Sequence, residues 1–235
     1  APAPPPAPPS AADLAATPDY TASRALDRPQ YEDLRDLLFS DFVELAGDGR
    51  VGRDACLSGG LATFRGGPPV VVLGCRKGHS AAELAAHNYG MPSPAGYRTA
   101  LKLFRLAERF GLPVVTFVDT CGAWPSFAAE GAGQSEAIAT NLTAMAGLAV
   151  PIITVVLGEG GSGGALGIAM GNRVAMLSQA YYGVISPEGA ASILGRYADD
   201  DDKKARFPAD CQALAEAQGI YAHQLEKLGV VDAVL

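Results

Sequence analysis

Apolar residues along the chain occur as short continuous runs separated by stretches with helical spacing. The continuous runs predict buried strands at residues 57–64, 69–75, 114–118, 152–157 and 173–178, and a short strand at 182–185. The spaced positions predict helices from Tyr97 to a stop at Gly111, and at 130–147, 164–171 and 210–228. Ser186 and Pro187 predict the start of a further helix. Strands that alternate with helices indicate an α/β layered domain that binds ligands at the carboxyl ends of its strands.

Residues 1–28 differ in composition from the rest of the chain. The first nine residues are only alanine and proline, which favours extended polyproline and cannot pack a core. We therefore expect residues 1–28 to be a linker or the remnant of a processed precursor, and residues 29–235 to form the domain. The charged run at 199–204 predicts a solvated loop within that domain.

Composition argues against several classes of partner. The 235 residues are 49% hydrophobic, enough for one sizeable core. Lys and Arg number 18 against 25 Asp and Glu, and the net charge of −7 argues against nucleic-acid and anionic-membrane partners. No apolar run reaches the roughly 18 residues of a membrane span. The four cysteines lack a C-x-x-C pair, so we expect free thiols and no metal site in this chain.

The strand predicted at 152–157 runs into a segment with five glycines within the seven residues 158–164. A helix of small residues follows it. Glycine lets the backbone turn with positive φ and lets a ligand approach the main chain closely. Unpaired N–H groups at the start of the following helix attract negative charge. The segment therefore predicts a site for a phosphate or for an oxyanion that forms during a reaction.

Two short motifs also fit this glycine segment. Gly158-x-Gly160-x-x-Gly163 matches the dinucleotide fingerprint, but no acidic residue follows until Glu188, too far on to bind a ribose. Gly160-x-Ser162-x-Gly164 matches the nucleophile elbow of serine hydrolases. A serine nucleophile needs a base, and the candidates are the three histidines His79, His87 and His223. The hydrolase stays open as an alternative.

A second glycine-containing turn follows the strand predicted at 114–118. It reads Asp119-Thr120-Cys121-Gly122-Ala123-Trp124-Pro125-Ser126. Two adjacent strands would then each end in a turn with exposed main-chain N–H groups. Amides from two such turns can converge on one oxygen and form an oxyanion hole.

Several longer motifs occur in a fixed order along the chain. They are Asn88-x-Gly90-Met91-Pro92, Gly96-Tyr97-Arg98, Asp119-Thr120-x-Gly122-Ala123-x-Pro125, residues 133–139 (GQSEAIA), residues 158–165 (GEGGSGGA) and residues 185–189 (ISPEG). With these motifs the chain, from about Arg28 to Leu235, resembles the carboxyltransferase α subunit of multisubunit acetyl-CoA carboxylase. The resemblance implies a crotonase-like α/β fold, a spiral of ββα units.

The resemblance also implies a reaction and its partners. Carboxybiotin on a biotin carboxyl carrier protein would give its carboxylate to acetyl-CoA and form malonyl-CoA. Negative charge develops on the biotin ureido oxygen, and biotin itself can take the methyl proton, so no side-chain base is required. The family works with a zinc-ribbon β subunit, as an α2β2 assembly, and with a biotin carboxylase.

Two sets of site residues follow from the motifs. The expected oxyanion donors are the main-chain amides of Gly122, Ala123, Gly163, Gly164 and Ala165. The residues expected to line the biotin site are Gly160, Gly161, Ser162, Arg76 and Lys77. Arg76 and Lys77 stand at a basic strand-end turn and could meet a carboxylate or phosphate, although solvated charge explains them equally well. Glu188 is expected to order its helix rather than to do chemistry.

The chain departs from the family pattern at three positions: Cys121 replaces a proline, Ser126 a glycine, and Ala46 a histidine. The Cβ of Ser126 could obstruct a close backbone approach. A catalytically silent structural subunit is therefore a second alternative. The clipped, Pro/Ala-rich start is compatible with a plastid stroma location, and the bacterial cytoplasm is the other possibility.

Overall fold

The computed structural model describes residues 19–50, 52–195 and 201–235. The strands are β1 (Phe39–Glu44), β2 (Leu57–Phe64), β3 (Pro69–Cys75), β4 (Val114–Thr120), β5 (Ile152–Gly161), β6 (Arg173–Met176), β7 (Tyr181–Gly183) and β8 (Ala233–Val234). The helices are α1 (Tyr31–Leu38), α2 (Ala81–Ala86), α3 (Pro94–Phe110), α4 (Phe127–Gly131), α5 (Gln134–Gly147), α6 (Ser162–Ala169), α7 (Pro187–Gly195), α8 (Asp201–Gln218) and α9 (Ala222–Lys227).

The described strands form one mixed sheet in the order β1-β2-β3-β4-β5-β6-β8. The first three strands pair antiparallel, and β3 through β6 pair in parallel. Strand β5 is long enough to have two partners in addition to β4. Its first half pairs with β6 and its last three residues pair with β7. The carboxyl end of β5 is therefore enclosed by β4 and β7.

The sheet is covered on both faces, as the alternate side chains of strand β3 show. Val71 and Leu73 belong to the core cluster that includes residues of α3 and α6, whereas Val70 and Val72 pack in the cluster around Tyr31 of α1. Successive strand side chains point to opposite faces, so a continuous apolar run is what a doubly covered strand requires.

Several sequence predictions are confirmed. The hairpin of β2 and β3 has the predicted bounds, and α3 ends at Gly111 in the left-handed conformation. The start of α7 is also as predicted, since the Gly189 N–H donates to the hydroxyl of Ser186 at 3.1 Å.

Other element predictions are wrong. The helix expected at 130–147 is broken before Gln134 by Gly133 at φ +84°, and the one expected at 210–228 is broken around Gly219 at φ +66°. Left-handed glycines end one helix and let the next begin at a new angle. Helix α1, strand β1 and helix α2 were not predicted. The loop expected at 199–204 is helical from Asp201, and its residues 199 and 200 lie outside the described residues.

The domain begins earlier than residue 29. Residues Tyr20–Arg24 form a 3-10 turn in which Tyr20 and Ser23 are buried. Arg28, predicted to lie in the linker, is 7% exposed and pairs with a carboxylate of the sheet. The boundary prediction at residue 28 is thus wrong for residues 19–28, and residues 1–18 lie outside the described residues.

Candidate active site

The ends of β4 and β5 lie in direct contact, as the two-turn hypothesis requires. A Cβ added to Gly164 would lie 2.4 Å from the Ala123 nitrogen and 2.4 Å from the Gly122 carbonyl carbon. One added to Gly161 would lie 2.1 Å from the Cys121 carbonyl oxygen. Real Cβ atoms do not approach so closely, so glycine at these two positions lets the turns meet.

The glycines of residues 158–161 are not a turn, which corrects the prediction for that stretch. Strand β5 extends through Gly161, and within residues 158–164 the positive φ belongs to Ser162, at +50°. Gly160 and Gly161 are buried and paired with β4 and β7, so close packing explains why both positions are glycine. Non-local neighbours, and not local turn geometry, account for these two glycines.

Helix geometry selects which of the predicted amides can donate. Since α6 begins at Ser162, the N–H groups of Gly163 and Gly164 have no carbonyl four residues back within the helix. The Ala165 N–H is the first that the helix bonds, to the carbonyl of Gly161. Ala165 is therefore removed from the donor set by its position in the helix.

The other turn likewise offers one free amide of the two predicted. The Gly122 N–H donates to the Thr120 hydroxyl at 3.1 Å. The Ala123 N–H forms no hydrogen bond with any residue that the structure describes. The amides that stay free to donate to a ligand are thus those of Ala123 from one turn and of Gly163 and Gly164 from the other.

Helix α6 is anchored from behind by two buried side chains. The Tyr97 hydroxyl donates to the Gly164 carbonyl at 2.9 Å. The Asn141 side-chain amide donates to the carbonyls of Tyr97 and Gly167, each at 3.0 Å. These bonds fix the start of α6, and with it the direction of its free N–H groups.

Ser162 has the strained backbone of a nucleophile elbow but no adjacent base. Its side chain is exposed and forms no hydrogen bond within the described part of the chain. The imidazole of His79 contacts the Leu26 carbonyl and Asp33, and that of His87 contacts the Lys77 carbonyl. The His223 ring stacks on Tyr221. The structure thus supplies no triad for the hydrolase alternative.

A charge cluster lies beside the paired strand ends, and four of its six members are buried. We define it as Arg24, Arg28, Lys77, Asp119, Glu159 and Glu188. Lys77 is 5% exposed and lies between Glu159, with which it pairs, and Asp119, at 3.2 Å. Arg24 pairs with Glu159 at 2.6 Å and also with Glu188.

The two basic residues predicted for the biotin site bind carboxylates of the protein itself. Lys77 is not solvated charge but part of the cluster. Arg76 donates to Glu44 at 2.9 Å and to the Ser58 hydroxyl at 3.0 Å. Glu188 lies in the first turn of α7, and its carboxylate accepts a hydrogen bond from Arg24 at 3.1 Å.

Electrostatics hold Glu159 in its charged form. Burial alone would raise its pKa, but Lys77 and Arg24 outweigh burial and lower the pKa to about 2. Burial and then Glu159 raise the pKa of the Cys121 thiol. Cys121 therefore stays protonated near neutral pH and is a poor nucleophile.

The depressed pKa of Glu159 predicts a pH dependence of stability. The ordinary pKa of the side chain is 4.5, so an unfolded chain takes up a proton between about pH 4.5 and pH 2 while the folded chain does not. Stability from this carboxylate is complete above that window and is lost as pH falls through it. We expect Glu159→Gln to flatten the decline, measured as the free energy of unfolding in urea at decreasing pH.

The matched control for this experiment is Glu108→Gln, which changes an exposed carboxylate at the end of α3. It should leave the wild-type decline with pH nearly unchanged. An equally steep decline in wild type and Glu159→Gln would contradict the assignment of that charge.

Ser126 and Cys121, the departures from the family pattern, fit their places. Ser126 has extended backbone and its hydroxyl accepts the Ala129 N–H at 3.1 Å, so it caps α4 and obstructs no contact between the turns. The Cys121 carbonyl is the part of that residue that abuts Gly161. Ala46 is exposed, and its carbonyl accepts a hydrogen bond from Lys102 at 3.1 Å.

Two cavities adjoin the site. One, of about 400 Å3, lies beside the charge cluster and is partly lined by Arg28, Lys77 and Cys121. The other, of about 280 Å3, lies beside the start of α6, where Gly163 and apolar side chains such as Val184 form its wall. Both cavities offer room for a ligand near the turns.

Within the described residues, no group of His, Cys, Asp and Glu side chains is arranged to hold a metal ion. In the same part of the chain, every helix is too short or too polar to cross a bilayer. The four cysteines are unbridged, as predicted.

Comparison with solved structures shows the fold class. The chain superimposes on transcarboxylase 12S with hydrolysed methylmalonyl-coenzyme A bound, with a TM-score of 0.75 and 22% identity over 93% of this chain and 42% of that one. A single-chain, multi-domain long-chain acyl-CoA carboxylase gives 0.72 and 19%, over 93% and 22%. The chain thus has the crotonase-like fold of carboxyltransferases, as predicted.

Sequence comparison identifies the family. The acetyl co-enzyme A carboxylase carboxyltransferase-like family matches residues 10–235, and the chain belongs to it. The acetyl-coenzyme A carboxylase carboxyl transferase subunit alpha of Halorhodospira halophila is 51% identical over 91% of this chain and 64% of its own length. That of Burkholderia vietnamiensis is 52% identical, over 91% and 62%. The chain therefore spans less than two thirds of these relatives.

Most of the charge cluster was missed from the sequence, which singled out Lys77 and Glu188 but not their charged partners. Asp119 and Glu159 appeared only as members of the motifs at 119–125 and 158–165. A signal was present, because Asp119 directly follows a buried run and Glu159 lies between glycines of a strand. Charged residues in such positions require partners. Their partners Arg24 and Arg28 lay in the segment excluded as a linker.

Proposed function

We propose that this chain is the α side of an acetyl-CoA carboxylase carboxyltransferase. With a β subunit it transfers the carboxyl group of carboxybiotin to acetyl-CoA and gives malonyl-CoA. The observation that carries the proposal is the contact between the turn at Ala123 and the start of α6 at Gly163 and Gly164. It brings free amides from two strand ends to one place.

The residues fit a biotin ureido group. Gly164 leaves no room for a Cβ toward Ala123, while a Cβ on Gly163 would meet open space, so the start of α6 can be approached from the Gly163 side. When bound, carboxybiotin supplies the carboxyl group, and negative charge develops on its ureido oxygen. The amides of Ala123, Gly163 and Gly164 would donate to that oxygen, and the N-terminal end of α6 would add favourable partial charge.

The chain contributes fixed dipoles and no side-chain base. Preorganised donors of this kind are each worth about 3–4 kcal/mol at a developing oxyanion. Tyr97 and Asn141 hold α6 from behind and reduce the reorganisation that the donors undergo. The absence of a base beside Ser162, within the described residues, agrees with a reaction that needs none.

The partners follow from the family. We infer a zinc-ribbon β subunit that holds the acetyl-CoA thioester, an α2β2 assembly, a biotin carboxyl carrier protein and a biotin carboxylase. Exposed apolar side chains near the turns support a covering partner, notably Phe127, 96% exposed, and Val184, 83% exposed. The matched relatives are bacterial, which favours the bacterial cytoplasm over the plastid as the location.

Reconstitution tests this function. The full chain and its β subunit would be purified together and supplied with carboxybiotinylated carrier protein and acetyl-CoA. We expect malonyl-CoA only when both subunits are present. A stable pair that forms no malonyl-CoA would instead favour the silent structural subunit.

Substitution of Ser162 by alanine separates the carboxyltransferase from the hydrolase. The Ser162 hydroxyl bonds to no described residue, so Ser162→Ala should change kcat of the reconstituted pair by no more than about twofold. Complete loss of activity in this variant would favour a serine nucleophile.

A further inference from the structure

Strand β5 contains a bulge near its carboxyl end, where its regular pairing with β4 is interrupted. Val118 pairs with Val156, and the next pair is Thr120 with Gly160. Three residues of β5, residues 157–159, therefore lie opposite Asp119 alone. A bulge of this kind re-aims the strand beyond it, and here the strand beyond it leads into α6.

The Asp119 carboxylate closes this bulge. Its Oδ1 accepts the main-chain N–H of Glu159 at 3.1 Å and lies 3.2 Å from the Lys77 ammonium. Its Oδ2 accepts from the Arg28 guanidinium at 2.5 Å. Asp119 is fully buried, so all of these bonds form away from solvent.

Immediately after the bulge, the residues that follow β4 contact those at the end of β5 and the start of α6. Thr120 pairs with Gly160, Cys121 abuts Gly161, and the Ala123 amide abuts Gly164. The separation of the two amide groups is thus set by how β5 is registered on β4. That register changes only at Asp119.

We propose that Asp119 is a positioning residue that locks the β5 bulge and so sets the spacing between the Ala123 amide and those of Gly163 and Gly164. This inference rests on the proposed function of those amides. Asp119 acts through the backbone, and Arg28 and Lys77 hold its carboxylate in place. Gly158 leaves room for the Arg28 side chain in this arrangement, since a Cβ there would lie 2.6 Å from the Arg28 guanidinium carbon.

Only an ionised carboxylate can satisfy this arrangement. Both of its oxygens accept, whereas an asparagine has one accepting oxygen and a donor in place of the other. In Asp119→Asn, either the Glu159 N–H or the Arg28 guanidinium faces an NH2 group. The bulge then loses one of the two hydrogen bonds that hold it, while the side-chain volume is kept.

The test compares Asp119→Asn with Asp36→Asn, which changes an exposed carboxylate of α1 paired with Arg35. Each full chain is measured with its β subunit. We expect Asp119→Asn to lower kcat about 10- to 100-fold, with the KM for acetyl-CoA within about twofold of wild type. Asp36→Asn should match wild type in both. A merely structural defect would reduce the amount of active complex and leave kcat per folded complex unchanged.

A second measurement does not depend on catalysis. In 1H–15N spectra of the free chain, Asp119→Asn should shift the amide signals of Ala123, Gly163 and Gly164, and Asp36→Asn should not. Should Asp119→Asn fail to fold, Arg28→Lys keeps the charge, loses the guanidinium bond, and should show the same shifts with a smaller loss of kcat.

Two results would overturn the proposal: unshifted amide signals in a folded variant, or shifted signals with wild-type kcat. If the wild-type pair itself forms no malonyl-CoA, the function proposed above fails. The amide signals alone then decide whether Asp119 positions the two turns.

Discussion

Replacing Gly164 with alanine should lower kcat of the reconstituted pair about 100-fold or more. The added Cβ would lie 2.4 Å from the Ala123 nitrogen and the Gly122 carbonyl carbon, both of which are main-chain atoms. Because backbone cannot move aside as a side chain can, α6 must shift away from the turn. The amides of the two turns then no longer converge, and loss of even one donor to an oxyanion costs about 100- to 1,000-fold in kcat.

Gly147→Ala is the matched control. It adds the same methyl group in helix α5, where a Cβ would meet nothing within 4 Å. We expect its kcat to stay within about twofold of wild type. If Gly164→Ala formed a normal complex with wild-type kcat, the contact between the turns would have no part in the chemistry.

Replacing Lys77 with methionine should give the largest loss of stability. The ammonium lies between the buried carboxylates of Glu159 and Asp119. Its removal leaves three carboxylates against only Arg24 and Arg28, so one buried negative charge is no longer balanced. Breaking one side of a buried ion pair costs about 3–5 kcal/mol. We expect the free energy of unfolding of the full chain, measured in urea, to fall by about that amount.

Lys227→Met serves as its control, because Lys227 is exposed at the end of α9. Its loss should cost less than about 1 kcal/mol. If Lys77→Met were as stable as this control, the cluster would not depend on Lys77 for its charge balance.

Local patterns predicted much of the fold. Strands β2 and β3 follow from two continuous apolar runs, and α3 ends at Gly111, where the helical spacing stops. These signals lie within a few residues of the structure they specify. The buried strands were likewise found, because a sheet covered on both faces requires continuous apolar runs.

The glycine segment shows where local patterns fail. Five glycines predicted a turn, but Gly160 and Gly161 lie in a strand where other segments come too close for a side chain. Gly160 faces Tyr182 and Gly161 faces Cys121, neighbours that are distant in sequence. The presence of glycine was informative, but the reason for it depended on tertiary contacts.

The candidate site could be predicted only in part, because part of it also depends on tertiary contacts. Motifs located both turns, and helix position then removed Ala165 while a local bond engaged Gly122. The pairing within the charge cluster could not be derived, since its arginines come from the segment before residue 29 and its acids from two strand ends and the first turn of α7. Which charges pair across such distances is decided by the fold, not by spacing along the chain.

The most direct measurement is a structure of this chain with its β subunit and biotin bound. We expect the biotin ureido oxygen to lie about 2.7–3.1 Å from the amide nitrogen of Ala123 and from that of Gly163 or Gly164. A ureido oxygen bound away from these amides, or held by side chains alone, would contradict it.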